Sequence, residues 1–436
     1  MEPVLPDKFK SYLEEAIGSA DCAVVLEALY SVESVVSIRL NPHKPLPEDI
    51  DSVVNIAKKE DDRAPWCRDG YYLKERPDFT LDPSFHAGAY YVQDASSMFL
   101  SLLEPLIKEK RAILDLCAAP GGKSTHLVSL KAPEARFTAN EVIRSRCSIL
   151  RENISKWGDR SVEVVSLDPA DFNKGYSKAN KQGIRLYDLI VVDAPCSGEG
   201  LFRKDKRAIE EWSEGSVKLC AARQRRILSD IWDSLAPGGH LIYSTCTFNK
   251  YENEENLLWL VEEYGAEIIP LEQWAVLSAI EKWGIRKSAI AGYRFLPGIV
   301  RGEGQFFGVV RKDDTQENGG LSEISIRKNK REKGDKSRGA VIGNNKDLSR
   351  KKKAVVMEPE IEEALASDYN GAYPSVELSK LDALKFLARE AIVLKNAPFG
   401  YLRVTYGGLG LGFVKNIGSR ANNLYPSGWK IRKSIY

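Results

Sequence analysis

Between residues 112 and 246 five short apolar runs alternate with segments of helical period. The runs are AILDLCA (112–118), RFTANEV (136–142), VEVVSLD (162–168), YDLIVVDA (187–194) and HLIYSTC (240–246). Each has the length and the aliphatic, β-branched content of a buried strand rather than a helix. The clearest intervening helix is 216–235, where Val217, Cys220, Ala221, Ile227, Leu228, Ile231, Trp232 and Leu235 form a stripe of period 3.6. Pro237-Gly238-Gly239 reads as its stop signal. Strands that alternate with helices bury their faces as βαβ units, so the expected fold is α/β, a Rossmann-like and mostly parallel sheet. The segment 292–312 reads as two further strands around a Gly-rich turn, an antiparallel edge to that sheet.

Ligands of such sheets bind at the carboxyl ends of the strands. The first strand runs into LDLCAAPGGKST (114–125), where Gly121 and Gly122 allow a tight turn and a following helix presents its N–H groups. The loop lacks the G-x-x-x-x-G-K-[ST] spacing of a phosphate loop. Glu141 ends the second strand, where a carboxylate can hold ribose hydroxyls, and Asp168 ends the third, placed for an adenine edge. Either acid alone could equally be a helix N-cap. Cys196 and Cys246 stand at the ends of the fourth and fifth strands, and neighbouring strands would bring both thiols to one substrate. Asp193 lies three residues before Cys196, placed to hold a ring edge. His240 starts the strand that Cys246 ends, roughly 20 Å away at about 3.3 Å per residue, which argues against a Cys–His dyad.

Four stretches resemble the Sun/Nol-type RNA (cytosine-5)-methyltransferases, and within them the bacterial 16S ribosomal RNA enzymes of the F type. They are Tyr91–Ser97, Asp115–Lys123, Asp193–Gly198 and Ser244–Thr247, in the family's order. Glu252-Asn253-Glu254 and Gly302-Glu303-Gly304 also match. The resemblance implies a class I methyltransferase domain that uses S-adenosyl-L-methionine. It implies that Cys246 is the nucleophile on C6 of cytosine, that Cys196 helps product release, and that Asp193 holds the base with Lys123 nearby. The cofactor would be held by Cys117, Ala118, Ala119, Pro120, Gly121, Gly122 and Lys123, with Glu141, Asp168 and Asp193. Cys117 reads as packing rather than chemistry. Relatives often carry His after the proline of the late hairpin, where this chain has Leu296-Pro297-Gly298. A transfer-RNA substrate, or an assembly factor that binds RNA without needing its catalysis, are the competing readings. A DNA cytosine methyltransferase would use the Pro-Cys thiol instead, which the Ser-Thr-Cys-Thr motif argues against.

The flanks point to the same partner. Net charge is only +2, yet residues 327–353 carry 12 Lys/Arg against 3 Asp/Glu, and beyond Glu390 there are seven Lys/Arg and no acid. Basic stretches with interleaved Tyr, Gly and Asn fit an RNA partner. The expected domains are an N-terminal α+β RNA-binding domain (1–85), the methyltransferase domain (86–312), a basic linker read as disordered (313–357) and a small β-rich module resembling a PUA domain (358–436). In the last, Ser379 and Asp382 read as a helix cap. The loops around Tyr90, Tyr91 and Arg203-Lys204 are further candidates for RNA contact. Seven cysteines with no C-x-x-C pair argue against a disulfide framework or a metal site and fit a reducing compartment. No apolar run approaches the ~18 residues of a membrane span. The expectation is a cytoplasmic monomer with no membrane partner.

Overall fold

The computed structural model describes residues 4–30, 35–173, 186–273, 280–314 and 358–435. The linker expected over 313–357 lies outside these residues but for its first two. Among the described residues no helix is long and apolar enough to cross a membrane.

The first sheet has three antiparallel strands, β1 (Val36–Leu40), β2 (Gly70–Leu73) and β3 (Tyr90–Val92), in the order β2-β1-β3. Its last strand is drawn from beyond residue 85. The central sheet follows. Strands β4 (Ala112–Asp115), β5 (Arg136–Asn140), β6 (Glu163–Val165), β7 (Tyr187–Asp193) and β8 (Leu235–Thr245) are parallel, in the order β8-β7-β4-β5-β6. The chain lays down β4 to β6 in one direction, then returns to the other side of β4. That reversal opens a crevice at the carboxyl ends of the strands. Strands β9 (Glu267–Ile268), β10 (Arg286–Lys287), β11 (Tyr293–Phe295) and β12 (Gln305–Arg311) add the antiparallel part, with β12 beside β8. The addition expected from 292–312 is therefore present, and it extends the sheet by more than one strand.

The period of two sorts the strand residues between two cores. Ile113, Leu189, Val191 and Ile242 face one cluster, and Leu114, Ile190, Val192, Leu241 and Tyr243 the other. Both faces are covered, as a parallel sheet requires. The 3.6-period stripe forms the helix Glu214–Trp232, but Pro237-Gly238-Gly239 does not stop it. Those residues sit inside β8 as a bulge. Tyr187 pairs with Leu235 and Leu189 with His240, so the extra residues loop out, with Gly238 at φ +71°.

The N-terminal helix Asp7–Tyr30 buries Phe9 and Leu13, with Ile17 half-buried, as their spacing suggests. It breaks at Gly18 (φ 80°, ψ 161°) and packs against Phe202, Trp212, Phe248 and Leu296 of the larger domain. The C-terminal module is a four-stranded sheet of β13 (Ser375–Glu377), β14 (Gly400–Tyr406), β15 (Leu409–Asn416) and β16 (Ala421–Asn423). Its helix Lys380–Leu387 starts at Ser379, whose hydroxyl accepts from the Asp382 amide at 3.2 Å. The module is docked, not trailing. Its core includes Ala87 and touches Ile50 and Leu81, and the Tyr406 hydroxyl donates to the Asp51 carbonyl at 2.8 Å. At that seam buried Lys44 donates to the carbonyls of Ala87 and Lys156.

One buried ion pair ties the late strands to the loop beyond Cys246. Arg294 on β11 donates from Nε to Glu254 at 3.1 Å, and its guanidinium also reaches the Phe248 carbonyl. Both side chains are about 2–3% exposed. Removing one partner strands a buried charge at a cost of about 3–5 kcal/mol. Arg294→Met should therefore lower the thermal midpoint by more than the Arg294→Met/Glu254→Leu double variant does. Equal losses in the two melting curves would show that the charge is relieved by solvent.

Candidate active site

Asp193 on β7 lies directly beside Ser244 on β8, so the residues just past each strand meet in the crevice. The Sγ atoms of Cys196 and Cys246 are 3.4 Å apart. The loop after β7 is held in that position by its glycines and by two buried acids. Gly198 has φ +74°, and the Gly200 amide donates to the Cys246 carbonyl at 2.8 Å. A Cβ on Gly200 would stand 2.7 Å from that oxygen, so only glycine closes this turn. Glu252 accepts from the Ser197 amide (3.0 Å), Gln224 Nε2 (2.8 Å) and Asn249 Nδ2 (2.8 Å). Glu199 accepts from the amides of Phe248 (2.6 Å) and Asn249 (3.1 Å) and from Trp212 Nε1 (3.0 Å). Both carboxylates are buried and are met by neutral donors, and Asn249 bridges them. They bind the loop of one thiol to the loop of the other.

Asp193 is fixed from three sides. Lys123 Nζ stands 2.8 Å from Oδ2, and Oδ1 accepts from Ser244 Oγ (2.7 Å) and Gln305 Nε2 (3.3 Å). All four residues expected to carry the chemistry thus lie together. The contact with Cys246, then burial, then the nearby Glu252 carboxylate raise the Cys196 pKa well above the ordinary thiol range. A shift in that direction favours the protonated Cys196 thiol, whose sulfur lies within hydrogen-bond reach of Cys246, either atom being able to donate. Burial also pushes the Cys117 thiol up, consistent with a packing role.

A cavity of about 730 Å³ runs from the thiols to the second and third parallel strands. Cys117, Ala119, Glu141, Asp168 and Asp193 line it together with Cys196 and Cys246. Ala118, Pro120, Gly122 and Lys123 line a smaller space of about 200 Å³ beside Tyr91 and Asp94. Gly121 stands apart at φ +118°; a Cβ there would meet Leu150 at 3.3 Å, so its glycine serves the turn and the helix packing. Glu141 accepts from the Ile143 amide at 2.9 Å and pairs with Arg146 at 3.2 Å. Asp168 lies three residues past β6 and pairs with Arg226 at 3.3 Å. Asp115, at the end of β4, has one carboxylate oxygen buried without a partner among the described residues, and burial raises its pKa to about 7. Asp115 does not itself line the cavity, but Glu141, Asp168 and Asp193 do, and carboxylates there suit a ligand that brings donors and positive charge.

Two expectations are corrected. Tyr90 is buried and donates to Asp82, and the Arg203 side chain is 6% exposed and paired with Glu303 at 2.7 Å. Neither is free to meet RNA. Gly298, after the proline of the late hairpin, has φ +83°; a Cβ there would come within 3.0 Å of the Val24 carbonyl and 2.9 Å of Ala28. The N-terminal helix fills that space. Sequence reasoning missed Glu199, Gln224 and Gln305. Gln224 had left a signal, a polar residue inside the apolar stripe between Cys220 and Ile227.

Three family models match the chain in order. They are the N-terminal domain of 16S rRNA methyltransferase RsmF (residues 5–95), 16S rRNA methyltransferase RsmB/F (100–307) and the methyltransferase RsmF PUA domain (373–431). The chain belongs to the 16S rRNA methyltransferase RsmB/F family. The RsmB/F match takes in all four clustered residues, and the PUA match lies on the docked β-rich module. Ribosomal RNA small subunit methyltransferase F of Enterobacter sp. (strain 638) is 33% identical over 274 residues, 61% of this chain and 56% of that protein. The match thus spans about half the length of this curated relative. Among solved structures, a methyltransferase homolog from Pyrococcus horikoshii has TM-score 0.55 at 25% identity, covering 70% of this chain and 95% of that one. NSun6 from the same organism, solved with SFG, has TM-score 0.53 at 19% identity, covering 72% and 99%.

Proposed function

We propose that this chain transfers a methyl group from S-adenosyl-L-methionine to C5 of a cytidine in 16S ribosomal RNA, through a covalent Cys246–C6 adduct. The observation that carries this reading is the pair of thiols 3.4 Å apart in a cavity that Glu141 and Asp168 also line. Glu141 and Asp168 would hold the cofactor's ribose and adenine, and the Cys117–Lys123 loop its amino-acid end. When bound there, the cofactor supplies an electrophilic methyl group.

The chain's own residues do the rest. Cys246 attacks C6 as a thiolate, with the Cys196 S–H donating to it beforehand. Adding sulfur at C6 makes C5 enamine-like. Asp193, held by Lys123, Ser244 and Gln305, grips the base edge and limits its rotation. On release the C5 proton leaves, the C6–Sγ bond breaks and Cys246 departs as thiolate. As Cys246 departs, the Cys196 S–H passes its proton to that thiolate, and the Cys196 sulfur takes the C5 proton in the same step. The cytidine must leave its stack to reach the thiols, at a cost of a few kcal/mol. A 16S rRNA transcript, incubated with enzyme and methyl-labelled S-adenosyl-L-methionine and then bisulfite-sequenced, tests the whole reading. Label at one or a few protected cytidines is expected; label elsewhere, or none, refutes it.

The PUA-type module would contribute phosphate contacts through its exposed lysines and arginines. Because its core is shared with Ala87, Ile50 and Leu81, truncating it would uncover apolar surface in the rest of the protein. Point changes are the cleaner probe. Lys395, Lys415 and Arg420 are exposed near one end of the module. Changing all three to Gln should make the slope of log K against log[salt] shallower by about 2 units, at roughly 0.7 per phosphate contact on single strands. Affinity for S-adenosyl-L-methionine should stay as in wild type. A salt titration with an unchanged slope would place the module's contacts elsewhere.

A further inference from the structure

The mouth of the large cavity is unusually apolar for a surface. Leu201 is 45% exposed and Leu219 61%, and both line the same space as Cys196 and Cys246. Their settings are rigid. Leu201 ends the turn Glu199–Leu201, which buried Glu199 and the Gly200 amide fasten to the loop of Cys246. Its side chain stands 3.5 Å from where a Cβ on Gly198 would be, two residues from Cys196. Leu219 and Arg223 are one turn apart on the helix Glu214–Trp232, which Gln224 ties to the Pro195 carbonyl at 3.0 Å. Arg225 and Arg226 of that helix are paired with Glu255, Asp168 and Asp230. Arg223 is exposed at the cavity and has no carboxylate partner among the described residues.

Two leucines fixed in water beside a reactive site are a standing cost unless something covers them. An unpaired arginine next to them selects an anionic partner. The rim is continuous with the thiol site, so its occupant must be joined to the group the thiols act on. We propose that Leu201, Leu219 and Arg223 form a subsite for the RNA nucleotide adjacent to the methylated cytidine, the leucines against its base and Arg223 on its phosphate. The proposal rests on the RNA-methylation reading above. It gives the rim two tasks. The leucines replace the stacking that the neighbouring base loses when the cytidine swings out, and the arginine sets the strand's position along the crevice.

The test uses full-length enzyme and a 16S rRNA transcript whose modified cytidine has first been mapped with wild type. If wild type methylates no cytidine, the underlying reading fails and this inference with it. Given wild-type activity, Leu201→Ala/Leu219→Ala should lower kcat/KM for the transcript by about 10–100-fold, the scale of one base contact. Wild type should discriminate between purine and pyrimidine at one neighbour of the cytidine, and the double variant should not. Arg223→Gln should raise KM for RNA with kcat little changed and make the salt slope shallower by about 0.7, and Arg223→Lys should restore most of both. Calorimetric affinity for S-adenosyl-L-methionine and the melting curve should match wild type throughout. Weakened cofactor binding in either variant would assign the rim to the cofactor pocket and overturn the proposal. So would a kcat/KM for RNA within twofold of wild type.

Discussion

Cys246→Ala should abolish methyl transfer while leaving S-adenosyl-L-methionine affinity unchanged. The side chain lies at the end of β8, at the thiol end of the cavity, and the groups proposed to hold the cofactor's nucleoside lie at the other. Cytosine C5 is a poor nucleophile until sulfur adds at C6, and no other thiol stands near Cys246 to replace it except Cys196. With Cys246 gone, burial and the nearby Glu252 carboxylate still disfavour a Cys196 thiolate, so it is a poor substitute. A loss of about 10⁴-fold in kcat is expected, equal to roughly 5.5 kcal/mol of transition-state stabilisation. Residual turnover within tenfold of wild type would remove Cys246 from the role of nucleophile.

The contrast between the two thiols shows where the sequence was informative. The alternation of strands and helices, the antiparallel addition and the strand-end positions of Cys196, Cys246 and Asp193 were all legible, because each depends on local period or local composition. That β7 and β8 are neighbours was only an assumption in sequence; the structure supplies it through the order β8-β7-β4. Residues that act across long separations left weaker traces. Glu252 matched a family motif but had no stated task until Ser197 and Gln224 were seen to donate to it. Gln305 reaches Asp193 from 112 positions away, and nothing in its own neighbourhood announces that. Pro237-Gly238-Gly239 misled for the opposite reason. Its local signal is a helix stop, yet the pairing of β7 with β8 absorbs it as a bulge. Arg203 and Tyr90 look like surface residues by type and are buried by tertiary partners. The docking of the C-terminal module was likewise invisible, since its contacts are with Ile50, Asp51, Leu81 and Ala87, nearly 300 or more positions earlier.

Cys196→Ala should do something different from Cys246→Ala: it should trap the enzyme on its RNA. The Cys196 sulfur lies against Cys246 and near Glu252, whose position is fixed by Ser197, Asn249 and Gln224. Removing it takes away the hydrogen bond to the attacking thiolate. A hydrogen bond to a charged group contributes about 1.5–3 kcal/mol, so attack should slow by roughly 10–100-fold. Release should slow further, because the nearest acceptor for the C5 proton is gone and elimination of Cys246 depends on losing that proton. When release slows more than attack, the adduct accumulates. A denaturing gel of Cys196→Ala incubated with the 16S rRNA transcript and S-adenosyl-L-methionine should therefore show a slower protein–RNA band, and the Cys196→Ala/Cys246→Ala double variant should show none. A band in the double variant would mean that another residue forms the bond. No band in the single variant, with methylated RNA still released at the wild-type rate, would mean that Cys196 has no part in release and that its contact with Cys246 serves the attack alone.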